Sequence, residues 1–296
     1  MVKRSRIVVF GDVIDDIVAV PQTTVRTDTD TATVIRHRAG GSAANVAAWL
    51  GYLGSSVDFV GRVGAEDVQR HTQYLGDFGV NALLTGDRML PTGTIIVVVD
   101  GEQRTMLTDR GANARLDPDQ ITDAMLDAAR VLHLTGHSIC VEAVPGSMKK
   151  LIARAGAHGA QVSVDPGSAG FIADFGVEKF LDVIDGADLL FPNLDEGRLL
   201  SGRSEPLAVV ESLVARFPLV ALTMGIDGVI AARRGSAPIT SDVVPVRAVD
   251  PTGAGDAFTA GFLASWVRSG QLPAASISGA RIAAQAVTVI GARPAA

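Results

Sequence analysis

The stretch VDPTGAGDAFTAGFLASW, residues 249–266, places a carboxylate directly after a glycine-rich loop and in front of an apolar helical run. At a helix N-terminus, the backbone amides of Gly253, Ala254 and Gly255 would form a nest that binds an anion. A carboxylate next to a bound phosphate has a use if it accepts the proton of a hydroxyl that attacks the phosphoryl group. Asp256 is therefore a candidate general base, and the alternative is that it only caps the helix.

A second acidic group, FGDVIDD at residues 10–16, stands where the first predicted strand ends. One carboxylate can accept hydrogen bonds from two hydroxyls, so an acid at this position is suited to binding a sugar. The candidates are Asp12, Asp15 and Asp16, and the alternative for each is a solvated acid in a turn.

Several chemistries are excluded by what the sequence lacks. It has no G-x-x-x-x-G-K-[ST], no strand-linked G-x-G-x-x-G and no H-E-x-x-H, which excludes a P-loop, argues against a dinucleotide-binding oxidoreductase and makes a zinc hydrolase improbable. Cys140 is the single cysteine, so an internal disulfide and a multi-thiolate metal site are excluded, and its apolar neighbours predict an inert thiol. A net charge of −6 and the absence of a basic stripe argue against a nucleic-acid surface.

Length and composition are those of a globular protein of one or two domains, with 296 residues, 47% hydrophobic and 20% charged. The apolar run after the basic N-terminus is too short for a signal segment, and no stretch approaches the ~20 apolar residues of a membrane span. We predict a single cytoplasmic domain over 1–296, with neither nucleic acid nor membrane as a partner.

Short apolar, β-branched runs alternate with helical patterns, which predicts an α/β fold with a central, mostly parallel sheet and helices on both faces. The predicted strands are RIVVF at 6–10, VDFVG at 57–61, VLHLTG at 131–136, QVSVD at 161–165, DLLFPN at 188–193 and LVALTMG at 219–225. Helices are predicted to begin at Asp117-Pro118, Pro145 and Ser204, and to cover about 42–53, 254–268 and 272–289.

Two stretches interrupt this alternation. Residues 17–39 are polar, Thr-rich and alternating, as in a half-exposed antiparallel strand pair, and residues 92–108 predict a hairpin with Asp100-Gly101 as its turn. Open α/β sheets bind ligands beyond the carboxyl ends of their strands, so these pieces predict a small β lid over the ligand site.

The segment DPTGAGDAFTAGFL, 250–263, resembles the C-terminal signature of the ribokinase-like (PfkB) family of carbohydrate kinases, position by position. GGSAANVA at 40–47, followed by Gly54 and Gly64, resembles the family's other signature. The two signatures are far apart and in the family's order, and the resemblance covers essentially the whole chain. It implies a ribokinase-like fold and an ATP-dependent sugar kinase that uses Mg²⁺.

The resemblance also implies roles for individual residues. Asp256 would be the catalytic base, and the amides of Gly253, Ala254 and Gly255 would hold the transferred phosphate. The nucleotide would be bound by Asn193, Glu196 (to Mg²⁺ through water), Thr223, Gly225 and Gly228. The sugar would be bound by Asp12, Asp16, Gly40, Gly41 and Asn45. The segment 286–295 resembles the family's K⁺ loop, whose candidate ligands here are Asp250, Thr252, Ala286, Val289 and Gly291. Without the resemblance, the Asn-x-x-Glu segment would be a helix cap and residues 222–229 a plain hairpin.

Departures from ribokinases concern the substrate. Ile14 stands two residues before the sugar-binding Asp, where ribokinases usually carry Asn, and Ser42 stands where they usually carry Lys, which argues against ribose. Arg110, after the second lid strand, would either bind an anionic group of the substrate or be a surface arginine.

Other functions stay open as alternatives. A nucleoside kinase of the same fold is less favoured, because neither Tyr52 nor Tyr74 lies in a lid segment to stack a base. A sugar-binding regulator without turnover is the alternative from another class. Lid strands pair between subunits in several members of the family, so a homodimer through the lid is expected.

Overall fold

Strands and helices alternate along the part of the chain that the computed structural model describes, residues 5–100, 103–141 and 143–295. The strands are β1 (Arg6–Phe10), β2 (Ile14–Pro21), β3 (Thr33–Gly40), β4 (Val57–Gly64), β5 (Asn81–Asp87), β6 (Gly93–Asp100), β7 (Gln103–Asp109), β8 (Ala129–Thr135), β9 (Gln161–Asp165), β10 (Leu189–Leu190), β11 (Leu219–Thr223), β12 (Val229–Arg233) and β13 (Ile239–Ser241). The helices are α1 (Ser42–Tyr52), α2 (Val68–Gly76), α3 (Asp123–Ala128), α4 (Gly136–Ile139), α5 (Ser147–Ala157), α6 (Ala169–Phe175), α7 (Val177–Val183), α8 (Leu194–Ser201), α9 (Pro206–Arg216), α10 (Ala254–Ser269) and α11 (Leu272–Ala286).

The central sheet has the strand order β13-β12-β11-β10-β9-β8-β1-β4-β5. From β11 to β5 neighbouring strands pair in parallel, and β12 and β13 continue the sheet with antiparallel pairing. The inner strands β1, β8 and β11 are largely apolar and buried because helices cover both faces of the sheet. The predicted α/β fold with a mostly parallel central sheet is confirmed.

Two hydrophobic clusters form the core, one on each face of this sheet. On one face, α1 and α10 bury Trp49, Phe258 and Phe262. On the other face, α5 and α7 bury Leu151 and Phe180. No helix within the described residues is long and apolar enough to cross a membrane.

A second sheet, the lid, has the strand order β3-β2-β6-β7. β2 and β3 are the antiparallel pair predicted within 17–39, and β6 and β7 form the hairpin predicted within 92–108. Gly101, predicted to lie in the hairpin turn, is outside the described residues. Because β2 already begins at Ile14, Asp16 belongs to a lid strand and not to a turn after β1.

Helix boundaries differ from the predictions at several places, and the helix predicted from Ser204 begins at Pro206. Asp117 accepts a hydrogen bond from the Asp119 amide at 3.0 Å and caps only a 3₁₀ turn, while α3 begins later, behind Thr122 as its cap. Gly146 adopts the left-handed conformation (φ 81°), so α5 begins after it and not at Pro145. α11 ends at Ala286, earlier than predicted, because the chain turns there and the Val289 amide donates to the Ala286 carbonyl at 3.2 Å.

Candidate active site

A cavity of about 680 Å³ lies between the lid and the carboxyl ends of the central strands. Ile95, Val97 and Met106 of the lid form an apolar part of its wall. The predicted site residues that line it are Asp12, Asp16, Gly41, Asn45, Arg110, Asn193, Glu196, Thr223, Thr252, Gly253, Ala254, Gly255 and Asp256. The structure thus brings residues from both halves of the chain into one cavity.

The glycine-rich loop at one end of the cavity has the conformation of an anion-binding nest. Gly253 is left-handed (φ 75°, ψ 7°), and α10 begins immediately after it. The amides of Gly253 and Gly255 have no backbone acceptor among the described residues, and Ala254 makes only a long bond, 3.3 Å, to the Pro251 carbonyl. These amides and the positive end of the helix dipole can therefore stabilise negative charge.

Asp256 is held by α1 and not by its own helix. Ser42 Oγ donates to Asp256 Oδ1 at 2.7 Å, and Asn45 Nδ2 donates to Oδ2 at 2.9 Å. No side chain caps α10 in the described structure, so the interpretation of Asp256 as a helix cap is wrong. Burial raises the pKa of Asp256 to about 8, with a further contribution from Asp165, while the two hydrogen bonds oppose the shift. A carboxyl group with this pKa is suited to accept a proton near neutral pH.

Asn193 and Glu196 form a reciprocal cap at the start of α8. The Glu196 amide donates to Asn193 Oδ1 at 2.9 Å, and the Asn193 amide donates to Glu196 Oε2 at 2.9 Å. Asn193 Nδ2 also donates to Glu196 Oε1 at 2.7 Å. The pair therefore caps a helix and lines the cavity at the same time, which the sequence presented as alternatives.

Asp165 is a site residue that the sequence analysis missed. It ends β9, lines the cavity and accepts hydrogen bonds from the Gly167 amide at 3.0 Å and Thr259 Oγ1 at 3.3 Å. Burial and the charge of Glu196 raise its pKa, and burial raises the pKa of Glu196 as well. Such an acidic cluster is a favourable environment for a divalent cation.

The acids at the opposite end of the cavity have different surroundings. Asp12 accepts hydrogen bonds from the amides of Ser42 at 2.8 Å and Ala43 at 3.2 Å and therefore caps α1. None of the described residues donates a hydrogen bond to the side-chain carboxylate of Asp16, whose pKa burial raises to about 7. A Cβ at Gly40 would lie only 2.7 Å from the Asp16 carboxyl carbon, so a side chain there would displace the Asp16 carboxylate. Asp16 is thus the acid that is free to accept substrate hydroxyls.

Asp15 points away from this cavity, on the other face of the lid sheet. Arg70 donates to it with two nitrogens, at 2.8 and 2.6 Å. Bidentate pairs of this kind are geometrically specific, so Asp15 is a structural acid and not a solvated one.

Arg110 lies in the cavity wall with its guanidinium 4.8 Å above the ring of Phe171. Its only hydrogen bond within the described residues is a long one, 3.4 Å, to the His137 carbonyl. No described carboxylate pairs with it, so the interpretation of Arg110 as an ordinary surface arginine is not supported.

The predicted nucleotide loop is only partly in the cavity. Thr223 lines it and forms an isolated bridge with Asn193. Gly225 and Gly228 lie at the ends of the turn beyond β11, outside the wall. Gly228 (φ 84°) allows close approach to the Ser241 carbonyl, which a Cβ would meet at 2.5 Å.

The predicted K⁺ ligands lie in two adjacent loops. Asp250 accepts hydrogen bonds from Thr252 Oγ1 at 2.7 Å and from the Gly291 amide at 3.0 Å. The Ala286 carbonyl accepts from the Val289 amide at 3.2 Å, within the turn that follows α11. The structure brings the loops together, and these side-chain oxygens are engaged in hydrogen bonds within the protein.

Asp256→Asn should raise the Tm of the ligand-free protein considerably more at about pH 8.5 than at about pH 5. The pKa of this carboxyl is about 8 in the folded protein, well above its ordinary value of 3.8. The folded state therefore binds more protons across this window, and the free energy of unfolding falls as the pH rises. Asparagine removes that titration. Thermal unfolding of the wild-type protein and the variant at both pH values measures this effect. Equal Tm values of the two proteins at the higher pH would contradict the raised pKa of Asp256.

This chain is similar to known proteins both in sequence and in structure. A sequence model described as pfkB family carbohydrate kinase matches residues 4–296. The ATP-dependent ribose-1-phosphate kinase of Halopiger xanaduensis is 33% identical over 249 residues, which cover 80% of this chain and 76% of that protein. The structure of Arabidopsis thaliana ribokinase complexed with ribose and ATP has a TM-score of 0.81 at 25% identity and covers 97% of this chain and 94% of that one. The adenosine kinase of Sinorhizobium meliloti has a TM-score of 0.87 at 22% identity, covers 98% and 96%, and shares the fold.

Proposed function

Because this chain belongs to the pfkB family of carbohydrate kinases and is a phosphotransferase, we propose that it transfers the γ-phosphoryl group of ATP to a hydroxyl of a small carbohydrate with an anionic group. One observation carries the proposal: a single cavity joins the amide nest and Asp256 to a wall with Asp16 and Arg110. The nest suits a transferred phosphoryl group, and the opposite wall suits a hydroxyl compound with negative charge.

In the proposed reaction, Asp256 accepts the proton of the acceptor hydroxyl as its oxygen forms a bond to the γ-phosphorus. The bond from that phosphorus to the β-γ bridging oxygen breaks, and ADP leaves with the electron pair. The amides at 253–255 stabilise the negative charge on the transferred group. Catalysis of this kind depends mainly on positioning and electrostatics.

The residues present fit Mg²⁺, which would neutralise charge on the phosphates when bound. Glu196 and Asp165 repel each other in the ligand-free cavity, and a cation held near Glu196 through water would relieve that repulsion. K⁺ at the loops of Asp250 and Gly291 is also proposed; in its favour is the contact between the two loops.

The acceptor class follows from Arg110. A guanidinium over an aromatic ring, with no described carboxylate beside it, can form paired hydrogen bonds to a phosphate or carboxylate. The relative from Halopiger xanaduensis is named for a phosphorylated sugar, which supports the same class.

We expect an anionic carbohydrate to give the highest kcat/KM in an ADP-release screen with Mg-ATP, with and without K⁺. The panel would hold ribose and fructose, ribose 1-phosphate and fructose 6-phosphate, 2-keto-3-deoxygluconate, adenosine and pseudouridine.

Arg110→Gln should raise KM for the anionic acceptor about 10- to 100-fold, because a hydrogen bond to a charged group is lost, and change kcat less. Arg233→Gln, an exposed arginine of β12, is the control. A preference for neutral sugars, or an unchanged KM, would contradict the anionic class.

A nucleoside acceptor is the second candidate, because Phe171 and His137 line the cavity and could contact a base. Activity with adenosine or pseudouridine alone would favour it. ATP binding without ADP release from any acceptor, combined with sugar binding by calorimetry, would favour the non-catalytic regulator.

A homodimer through the lid is likewise proposed. The outer face of the lid sheet exposes Ile35, Ile96 and Leu107, at 58%, 39% and 57% of their surface. Such a patch suits a second copy of the same sheet. A solution mass of one chain would contradict it. The cytoplasmic location stays a prediction.

A further inference from the structure

Arg293 lies behind the candidate base and was not predicted from the sequence. Its Nη2 donates to the Gly40 carbonyl at 2.9 Å, and its Nε donates to Asn45 Oδ1 at 3.2 Å. The side chain does not line the cavity that holds Asp256, so it does not touch a substrate bound there. Its influence on the reaction therefore passes through the residues it contacts and through its positive charge, which acts on Asp16 most strongly and also on Asp256.

The contact with Asn45 decides how that side-chain amide is oriented. An asparagine amide has one oxygen, which accepts, and one NH₂ group, which donates. A guanidinium has only donors, so the Asn45 oxygen must face Arg293. The NH₂ group then faces the opposite way, where it donates to Asp256 Oδ2 at 2.9 Å. With the amide rotated by half a turn, an oxygen would face the Asp256 carboxylate and the hydrogen bond would be lost.

Arg293 is itself held in place by its surroundings. The neighbouring Ala292 carbonyl accepts a hydrogen bond from Trp49 Nε1 at 2.9 Å, and the Gly291 amide donates to Asp250 at 3.0 Å. Ala292 also packs against Gly253, where an added Cβ would come within 2.6 Å of the Ala292 Cβ. The loop that carries Arg293 is therefore attached to α1 and to the nest.

We propose that Arg293 is a positioning residue for phosphoryl transfer, which fixes the Asn45 amide so that its NH₂ group holds and orients the Asp256 carboxylate. The inference rests on the proposed role of Asp256 as the base. The charged groups that act on Asp256 within the described structure are Asp12, Asp165, Glu196 and Arg293. The three acids disfavour a negative charge on Asp256. The donors from Ser42 and Asn45 and the positive charge of Arg293 favour its ionised form.

The test is Arg293→Met, compared with Arg281→Met, an exposed arginine on α11 that should leave kcat unchanged. Arg293→Met should lower kcat about tenfold, at the low end for a lost hydrogen bond to a charged group. The rise of kcat/KM with pH should move to higher pH by about half a unit to one unit, because Asp256 loses a donor and its pKa rises. In an Asn45→Ala background, Arg293→Met should lower kcat less than about twofold further, since the two residues act in series.

Two results would overturn the inference: kcat within about twofold of wild type with an unchanged pH profile, or the same fold-loss in the Asn45→Ala background, which would make Arg293 independent of Asn45. If Arg293→Met does not fold, Arg293→Lys replaces it. Lysine keeps the positive charge but lacks the planar fork of donors that bonds Gly40 and Asn45 together, so kcat should fall and the pH profile should move in the same direction. A wild-type kcat with an unchanged pH profile would overturn the inference here as well.

A readout without turnover separates this inference from the proposed function. The Tm difference between the wild-type chain and its Asp256→Asn variant, followed against pH, reports the pKa of Asp256 in the folded protein. Adding Arg293→Met to both chains should move the midpoint of that difference to higher pH. If wild type phosphorylates no acceptor, the proposed function fails, and an unmoved midpoint would still overturn the inference.

Discussion

Asp256→Asn should lower kcat by about 10²–10⁴-fold, the contribution typical of a positioned general base. Asparagine has the same shape, and its two ends can be satisfied in place: the amide oxygen can accept from Asn45, and its NH₂ group can donate to the Ser42 hydroxyl. Folding and ATP binding should therefore persist while proton acceptance is lost. The measurement is kcat with the best acceptor, with Tm and the Kd for ATP determined on the same preparation.

The matched control for this experiment is Asp119→Asn, at a side chain that is 90% exposed. It removes the same charge on the surface, so kcat should not change. An Asp256→Asn enzyme within tenfold of wild type would refute the assignment of the base and leave Asp256 with a binding role.

Gly253→Ala should destabilise the protein and abolish most activity, whereas Gly255→Ala should leave the Tm nearly unchanged. Gly253 is left-handed, and an added Cβ would lie 2.6–2.8 Å from three atoms of Ala292. The backbone strain and the overpacking together should cost about 2–4 kcal/mol, which lowers the Tm by roughly 3–6 °C in a chain of 296 residues. At Gly255 an added Cβ would meet nothing within 4 Å.

Thermal unfolding of the two glycine variants tests this difference directly. The two positions share one loop, so a general sensitivity of that loop would affect both. Equal Tm values for both variants would show that the contact with Ala292 does not determine the loop conformation. A stable but inactive Gly255→Ala would be compatible with the steric argument, because that Cβ projects into open space at the nest.

The parts of the fold that could be predicted from sequence are those with a local pattern. Buried parallel strands are continuous apolar runs, and the lid strands alternate, so both were visible in the sequence. The helix predicted from Asp117 was wrong because its side chain bonds to an amide two residues on and closes a 3₁₀ turn instead. Local capping chemistry does not determine how far the helix continues.

The residues of the candidate site likewise fall into those with a local sequence pattern and those without one. Asp256 and the nest occur in one short segment, so their chemistry could be inferred together. Asp165 carries a signal in the sequence as well, because it ends a parallel strand, and the first acidic group follows such a strand. Ser42 was considered only as a missing lysine, and its bond to Asp256 joins residues 214 positions apart. Arg293 has no local pattern, since its role depends entirely on partners that folding brings together.

The two walls of the cavity come mainly from different parts of the chain. The wall with Asp16 and Arg110 comes from the first 171 residues, and the proposed nucleotide wall comes from residues 193–256, with Asp165 of the first part beside Glu196. Across the cavity, Asp256 is attached to the first part by its two hydrogen bonds to α1. Acceptor choice can therefore change through substitutions in the N-terminal part while the phosphate machinery stays the same. One fold can in this way give rise to enzymes for many acceptors while the residues that carry out phosphoryl transfer are retained.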